Sequence, residues 1–230
     1  MNIAGNVRRI REAIDEAALR AGAPGDITLV AATKTIAPER IQEAITAGIT
    51  DCGENRVQEM LQKLPLGAYE GARLHFIGHL QSNKVKQVVG AASLIQSVDS
   101  KRLVSLIGAR ARALGIVQDV LIEINIGGEA SKSGVSPDRV EELLGLCAAE
   151  SGIFVKGLMA IPPIADENNG NRLYFEQMYK LFVDISTKKY DNIKMEILSM
   201  GMSADYEEAI FAGANMIRIG SAIFGPRLVI

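Results

Sequence analysis

The sequence predicts an α/β fold: a single (β/α)8 TIM barrel, residues 1–230, with an additional N-terminal helix. Three observations predict it. Short apolar, β-branched runs alternate with helical stretches eight times, and no Gly/Ser linker or low-complexity segment divides the 230 residues. Strands alternating with helices imply a parallel sheet with right-handed crossovers. Eight such units in roughly two hundred residues favour closure into a barrel. No GxGxxG follows the first strand, which counts against an open dinucleotide-binding sheet.

The elements follow in order. Ile3, Val7, Ile10, Ile14 and Ala18 recur at helical spacing, with Arg8, Arg9, Arg11, Glu12 and Asp15 between them. That pattern predicts an amphipathic helix packed on the body of the protein, and those charges are incompatible with the apolar core of a signal peptide. The first strand is "ITLVAAT", and its helix opens at Pro38. "GITDCG" precedes a helix over 54–63, "RLHFIG" a helix from about Ser82, and "SLIQSVD" a helix over 101–114. "VQDVLIEINI" leads to a helix opened by Ser136-Pro137, a cap followed by proline at the first turn. "IFVKGLMAI" precedes a helix over 173–188, "IKMEILSMG" one over 204–212, and "NMIRIG" a short turn at 221–224.

Composition narrows the function. Net charge is -2 with no basic block, which argues against nucleic acid as a partner. No apolar run approaches the ~18 residues of a membrane span. Cys52 and Cys147 stand far apart and outside any CxxC pattern, so neither a disulfide framework nor zinc is suggested and the reducing cytoplasm is the expected location. His75 and His79 are four apart, but "HFIGH" spans a strand end and a glycine rather than a helix, so metal is not expected. "GGEASKSG" lacks the Gly-Lys-Ser/Thr order of a phosphate loop.

A barrel carries its chemistry at the C-terminal ends of its strands. Those ends hold Lys34, Gly53-Glu54-Asn55, Gly78-His79, Asp99, Asn125, Met159, the run 199–203 and the run 218–221. Of the eleven lysines, Lys34 alone ends an apolar strand. Desolvation there lowers a lysine's pKa and suits it to attack an aldehyde. The bland alternative is a lysine that snorkels to the rim or pairs with Glu54. "SMGMS" and "IGSAIFG" place glycines and serines at two helix starts, where free N–H groups bind phosphate. Barrels commonly hold phosphate after strands seven and eight. Ordinary serine caps would look the same. Arg218 shares a strand face with Met216 and Gly220, so it enters the barrel mouth if that face is the interior; otherwise it pairs with a carboxylate such as Glu196. Asn55 either caps a helix or faces a ligand. A phosphate cradle, an amine and an interior arginine match the phosphate, aldehyde and ring nitrogen of pyridoxal 5'-phosphate. The polar loop "PPIADENNGN" reads as a lid or a surface connection.

These segments resemble the pyridoxal phosphate homeostasis proteins, the YggS-like or proline synthetase co-transcribed family. The resemblance rests on "LVAATKT", "DCGENRVQE", "LHFIGHLQSNK", "SVDS", "INIGGEASKSG", "GLMAIPP", "LSMGMSADYEEAI" and "IRIGSAIFG", in order over nearly the whole chain. It implies a fold like the barrel domain of alanine racemase, with pyridoxal phosphate held as an aldimine on Lys34. It implies phosphate contacts at Ser199, Met200, Gly220 and Ser221, Arg218 at the ring nitrogen, and Asn55 and His79 beside the pocket. Met159 and Gly201 complete the expected cofactor-binding set. Thr33 and Ser221 stand where many members have serine and threonine, and both keep the hydroxyl. A monomer is the family tendency.

An arginine beside the pyridine nitrogen disfavours its protonation and makes the ring a poorer electron sink. Racemisation also needs an acid/base on each side of the substrate carbon, and a second domain to supply one is not expected in a chain ending at Ile230. The expectation is therefore a protein of intracellular pyridoxal phosphate homeostasis, without robust catalysis. It would exchange pyridoxal phosphate with other B6 vitamers or with pyridoxal phosphate-dependent apoenzymes. The alternatives are a minimal amino-acid racemase and a Schiff-base aldolase using Lys34 without the cofactor.

Overall fold

The computed structural model describes residues 2–23, 25–129, 132–163 and 170–226. Eight parallel strands close in sequence order: β1 (Thr28–Ala32), β2 (Asp51–Glu54), β3 (Arg73–Phe76), β4 (Leu94–Val98), β5 (Gln118–Ile124), β6 (Ile153–Ala160), β7 (Ile193–Ser199) and β8 (Met216–Ile219). The seam is β8 on β1, registered Val30 to Arg218 and Ala31 to Ile219. The helices are α1 (Ile3–Ala21), α2 (Pro38–Thr46), α3 (Val57–Lys63), α4 (Val85–Val88), α5 (Lys101–Ala113), α6 (Val140–Ala148), α7 (Arg172–Ser186), α8 (Tyr206–Phe211) and α9 (Ser221–Phe224). Most of "PPIADENNGN" and part of "GGEASKSG" lie outside the described residues.

Alternation along each strand sorts side chains to two sides of the barrel. Leu29, Ala31, Cys52, Ile95, Ile122, Leu158 and Ile217 join the outer core against the helices. Val30, Leu94, Leu121, Met159 and Met216 form a separate cluster inside the barrel. Near-continuous burial of β1, β4, β5 and β8 is what a sheet covered on both faces requires.

α1 is the predicted amphipathic helix. The Asn2 side chain accepts from the Gly5 N–H at 2.8 Å, and Gly22 closes the helix in the left-handed conformation. Its buried stripe is Ile3, Val7, Ile10, Ile14 and Ala17, alternating steps of four and three that average close to the 3.6-residue turn, and Ala18 beside it is only half-buried. It packs on α2, α8 and α9, beside the β8–β1 seam. The helix expected from Ser82 is a single 3-10 turn followed by the four-residue α4, and Gly90, at φ 83°, turns the chain away soon after. The expected helix over 54–63 begins only at Val57, because Glu54 belongs to β2.

Candidate site at the C-terminal mouth

Thr28, Val30 and Ala32 share the inward register of β1, and Lys34 continues it two residues past the strand end. Lys34 is half-buried, and both its neighbours are clamped from the outer side. The Thr33 hydroxyl donates to Glu54 Oε1 at 2.7 Å, and the Thr33 carbonyl accepts from Lys63 Nζ at 2.8 Å. The Thr35 N–H donates to Glu59 Oε2 at 2.7 Å. Thr35 is the one non-glycine with positive φ among the described residues, at 64°. Such a conformation costs about 1 kcal/mol or more and persists only where the surroundings impose it.

The clamp is an ion cluster that sequence reasoning missed. Glu54 Oε1 accepts from Lys63 at 2.7 Å and from the Tyr69 hydroxyl at 2.9 Å as well as from Thr33. Lys63 is the one buried lysine among the described residues. Along α3, Val57, Met60 and Lys63 form the buried stripe while Leu61 is exposed, the reverse of what hydropathy alone suggests.

Inside the barrel, Arg218 on β8 is 4 % exposed. Its guanidinium donates to Ser199 Oγ at 2.7 Å and to the Ala160 carbonyl at 2.9 Å. No described carboxylate lies within 4.0 Å of it to form a salt bridge; Glu196 instead pairs with Lys156 and Lys194. Burial lowers the Arg218 pKa to about 10, and the charges of Glu123 and Asp205 only partly oppose this. Glu123, two residues past inward Leu121 on β5, was also missed. Burial and the Asp99 charge push its carboxyl up to about 7 against the pull of Arg218, and its Oε2 has no partner. The signal was its alternation with Leu121 and Asn125 in "LIEIN".

Asn55 follows Gly53 in the inward register of β2. Its Oδ1 is buried without a hydrogen-bond partner, and Arg56 rather than Asn55 stands at the cap of α3. A side chain at Gly78 would collide with the Asn55 backbone, so that glycine lets the ends of β2 and β3 meet.

The loops after β7 and β8 differ. The Met200 N–H is spent on the Met216 carbonyl at 3.1 Å, and the Met202 N–H on Asp205 Oδ1 at 2.7 Å. Gly201, at φ 91°, passes so close to Ala209 that a side chain would clash. Gly220 rather than Ser221 caps α9, and Asp205 rather than Ser203 stands at the cap of α8, so neither serine is an ordinary cap. The first N–H groups of a helix have no acceptor within it, which leaves those of Ser221 and Ala222 available. Gly220 lies against Ala32, two residues before Lys34: a Cβ there would be 3.4 Å from the Ala32 Cβ.

The structure thus sets Gly220 against Ala32 across the seam, two residues before Lys34, and places Ser199 against Arg218. Met159 is fully buried in the inner cluster. His79 is exposed, its Nδ1 3.0 Å from Ser133 Oγ on the loop after β5. A separate cavity of about 400 Å³, lined by Asp99, Asn125, Arg139, Val135, Leu143 and Leu146 among others, contains neither Lys34 nor Arg218.

Residues 2–227 match the family described as alanine racemase, N-terminal domain. The pyridoxal phosphate homeostasis protein of Aquifex aeolicus (strain VF5) is 42% identical over 228 residues, which is 99% of this chain and 99% of the relative. The chain belongs to the pyridoxal phosphate homeostasis protein family. Among solved structures, an unknown protein from Bifidobacterium adolescentis superposes with a TM-score of 0.87 at 35% identity, covering 97% of this chain and 94% of that one. PipY of Synechococcus elongatus PCC7942, solved with PLP bound, superposes with a TM-score of 0.81 at 29% identity, covering 97% of this chain and 100% of that one.

Proposed function

We propose that this chain binds pyridoxal 5'-phosphate at the mouth, holds it covalently through Lys34 and releases it to acceptors, rather than catalysing a reaction of its own. The observation that carries the reading is Arg218: a buried cation without a carboxylate at salt-bridge distance among the described residues, in a barrel whose closed seam puts its strand beside the one ending in Lys34. A buried charge with no counter-ion is costly unless something anionic or strongly accepting completes it. The partnerless Asn55 Oδ1 and the exposed amides opening α9 fit a ligand with a hydroxyl or ring donor at one end and phosphate at the other.

The residues divide the work. The Ser221 and Ala222 amides take the phosphate, with Ser199, Met200, Gly201 and Gly220 shaping the floor. Arg218 donates to the ring nitrogen and keeps it unprotonated. Asn55 orients the ring, and His79 stands at the rim. Met159 closes the barrel beneath. Lys34, steadied by its two clamped neighbours, offers its amine. When bound, pyridoxal supplies an aldehyde that a primary amine captures reversibly. A half-buried lysine at an open strand end suits exchange better than it suits shielding a reaction from water.

The test is a titration of the purified chain with pyridoxal phosphate, followed by absorbance. The wild type should give a saturable absorbance band near the edge of the visible, as a lysine adduct would, and Lys34→Ala should give none. An unchanged band in Lys34→Ala would overturn the assignment. Exchange of an amino acid's α-hydrogen with solvent deuterium would favour a racemase instead.

A further inference from the structure

Arg218 is the first member of a chain of buried polar groups that crosses the inside of the barrel. Its guanidinium donates to Ser199 Oγ at 2.7 Å, and Ser199 donates to Gln96 Oε1 at 2.7 Å. Gln96 Nε2 lies 3.0 Å from His75 Nδ1. An amide nitrogen can only donate, so Nδ1 must accept, and the neutral ring carries its proton on Nε2. Nε2 lies 3.1 Å from Asp51 Oδ1, a close polar contact without the alignment of a hydrogen bond, and Arg73 pairs with the same carboxylate at 2.8 Å. Every link runs in one direction, from a cation under the mouth to an anion at the far end. Ser199, Gln96 and Asp51 are fully buried and His75 is 2 % exposed, so water does not substitute for any link.

The five residues come from β8, β7, β4, β3 and β2, and all lie in the inward register. Such a row costs stability in an interior that Val30, Leu121 and Met159 otherwise fill with apolar atoms. Its direction is fixed at both ends: the guanidinium has no acceptor and the carboxylate no donor. The amide of Gln96 is locked by the His75 ring on one side and by Ser199 on the other. Ser199 spends its proton on Gln96 and presents a lone pair to Arg218, and that oxygen together with the Ala160 carbonyl fixes where the guanidinium sits.

We propose that Gln96, His75 and Asp51 are positioning residues that aim Arg218 at the pyridine nitrogen of pyridoxal phosphate, an inference that rests on the function proposed above. They touch no ligand. Their effect is carried by the order of donors and acceptors, so a substitution that keeps the order should work and one that breaks it should not.

Gln96→Met is isosteric and sits against Met216, whose sulfur is 3.2 Å from Gln96 Nε2, so it keeps the barrel packed while breaking the row. His75→Leu breaks it one link further on. His75→Gln keeps an acceptor for Gln96 and a donor for Asp51. Leu144→Ala, in the outer core on α6, controls for lost stability. Each variant is titrated with pyridoxal phosphate by absorbance and unfolded in urea. Gln96→Met and His75→Leu should bind roughly tenfold or more weakly, with a displaced absorption band. His75→Gln should bind within about twofold of wild type, and Leu144→Ala should lose stability but keep affinity and band. If His75→Leu does not fold, Gln96→Met decides. Wild-type affinity and spectrum in Gln96→Met, or His75→Gln as weak as His75→Leu, overturns the inference and leaves the binding function standing. A wild-type chain that takes up no pyridoxal phosphate overturns both.

Discussion

Two buried polar clusters lie on opposite sides of the same sheet, and they are built differently. On the outer side, Glu54 and Lys63 meet at 2.7 Å, with Thr33 and Tyr69 on the same carboxylate oxygen. Charge is compensated within the cluster. On the inner side, Arg218 is just as buried and its donors go to a hydroxyl and a carbonyl, while Glu123 and Asn55 keep oxygens without partners. The first arrangement balances its charge through the Lys63–Glu54 pair, although Glu54 Oε2 has no hydrogen-bond partner, and it holds the backbone around Lys34. The second makes physical sense when another molecule completes it. A buried charge by itself marks no site; a buried charge without its counter-ion does.

The difference can be broken from either side. The largest effect on stability belongs to Lys63→Met. It strands Glu54 as an uncompensated buried carboxylate, which should cost about 3 kcal/mol or more in urea unfolding. A cost below 1 kcal/mol would mean the outer cluster is not the brace described above.

Glu123→Gln comes next and depends on pH. The folded state holds the Glu123 proton more tightly than the unfolded chain does, since its pKa is raised from 4.5 to about 7. Its contribution is therefore fully present below about pH 4.5 and is lost as pH rises through about 7. The glutamine variant should be more stable than wild type by roughly 2–3 kcal/mol at pH 8 and indistinguishable from it near pH 4. Parallel stability curves across that range would show that the inner carboxyl is not held as the structure has it.

Arg218→Met should change stability least, by about 1 kcal/mol in either direction, because the desolvation it relieves offsets the two hydrogen bonds it removes. Its affinity for pyridoxal phosphate should nonetheless fall tenfold or more, as expected for a lost charge-assisted hydrogen bond, roughly 1.5–3 kcal/mol. A large stability loss with unchanged affinity would make Arg218 a structural residue like Lys63.

The order of strands and helices was legible because each strand is an apolar run bounded by turn residues, and eight such units in this length favour closure into a parallel barrel over an open sheet. Lys34, Arg218 and Gly220 were legible for a related reason: alternation along β1 and β8 assigns each to one face, and the strand ends locate the mouth. The same alternation held Glu123, but a carboxylate inside a strand reads as solvent-facing until the barrel is known to be closed. Lys63 was hidden because its partner is on another element; α3 alone suggests that Leu61 should be the buried residue. Likewise, Asp51, His75, Gln96 and Ser199 belong to four strands with no shared motif, and only register brings them into one row. Where the helix after β7 would begin was misjudged by two residues, since Asp205 spends its carboxylate on the Met202 amide.

The central claim is that the amine ending β1 and the arginine of β8 serve one ligand. Borohydride reduction of the chain loaded with pyridoxal phosphate, followed by peptide mass mapping in wild type and Arg218→Met, tests it directly. The pyridoxyl mass should sit on the peptide containing Lys34, and its yield at limiting ligand should drop in the arginine variant. A dominant adduct on any other lysine, or a Lys34 yield indifferent to Arg218, would contradict it.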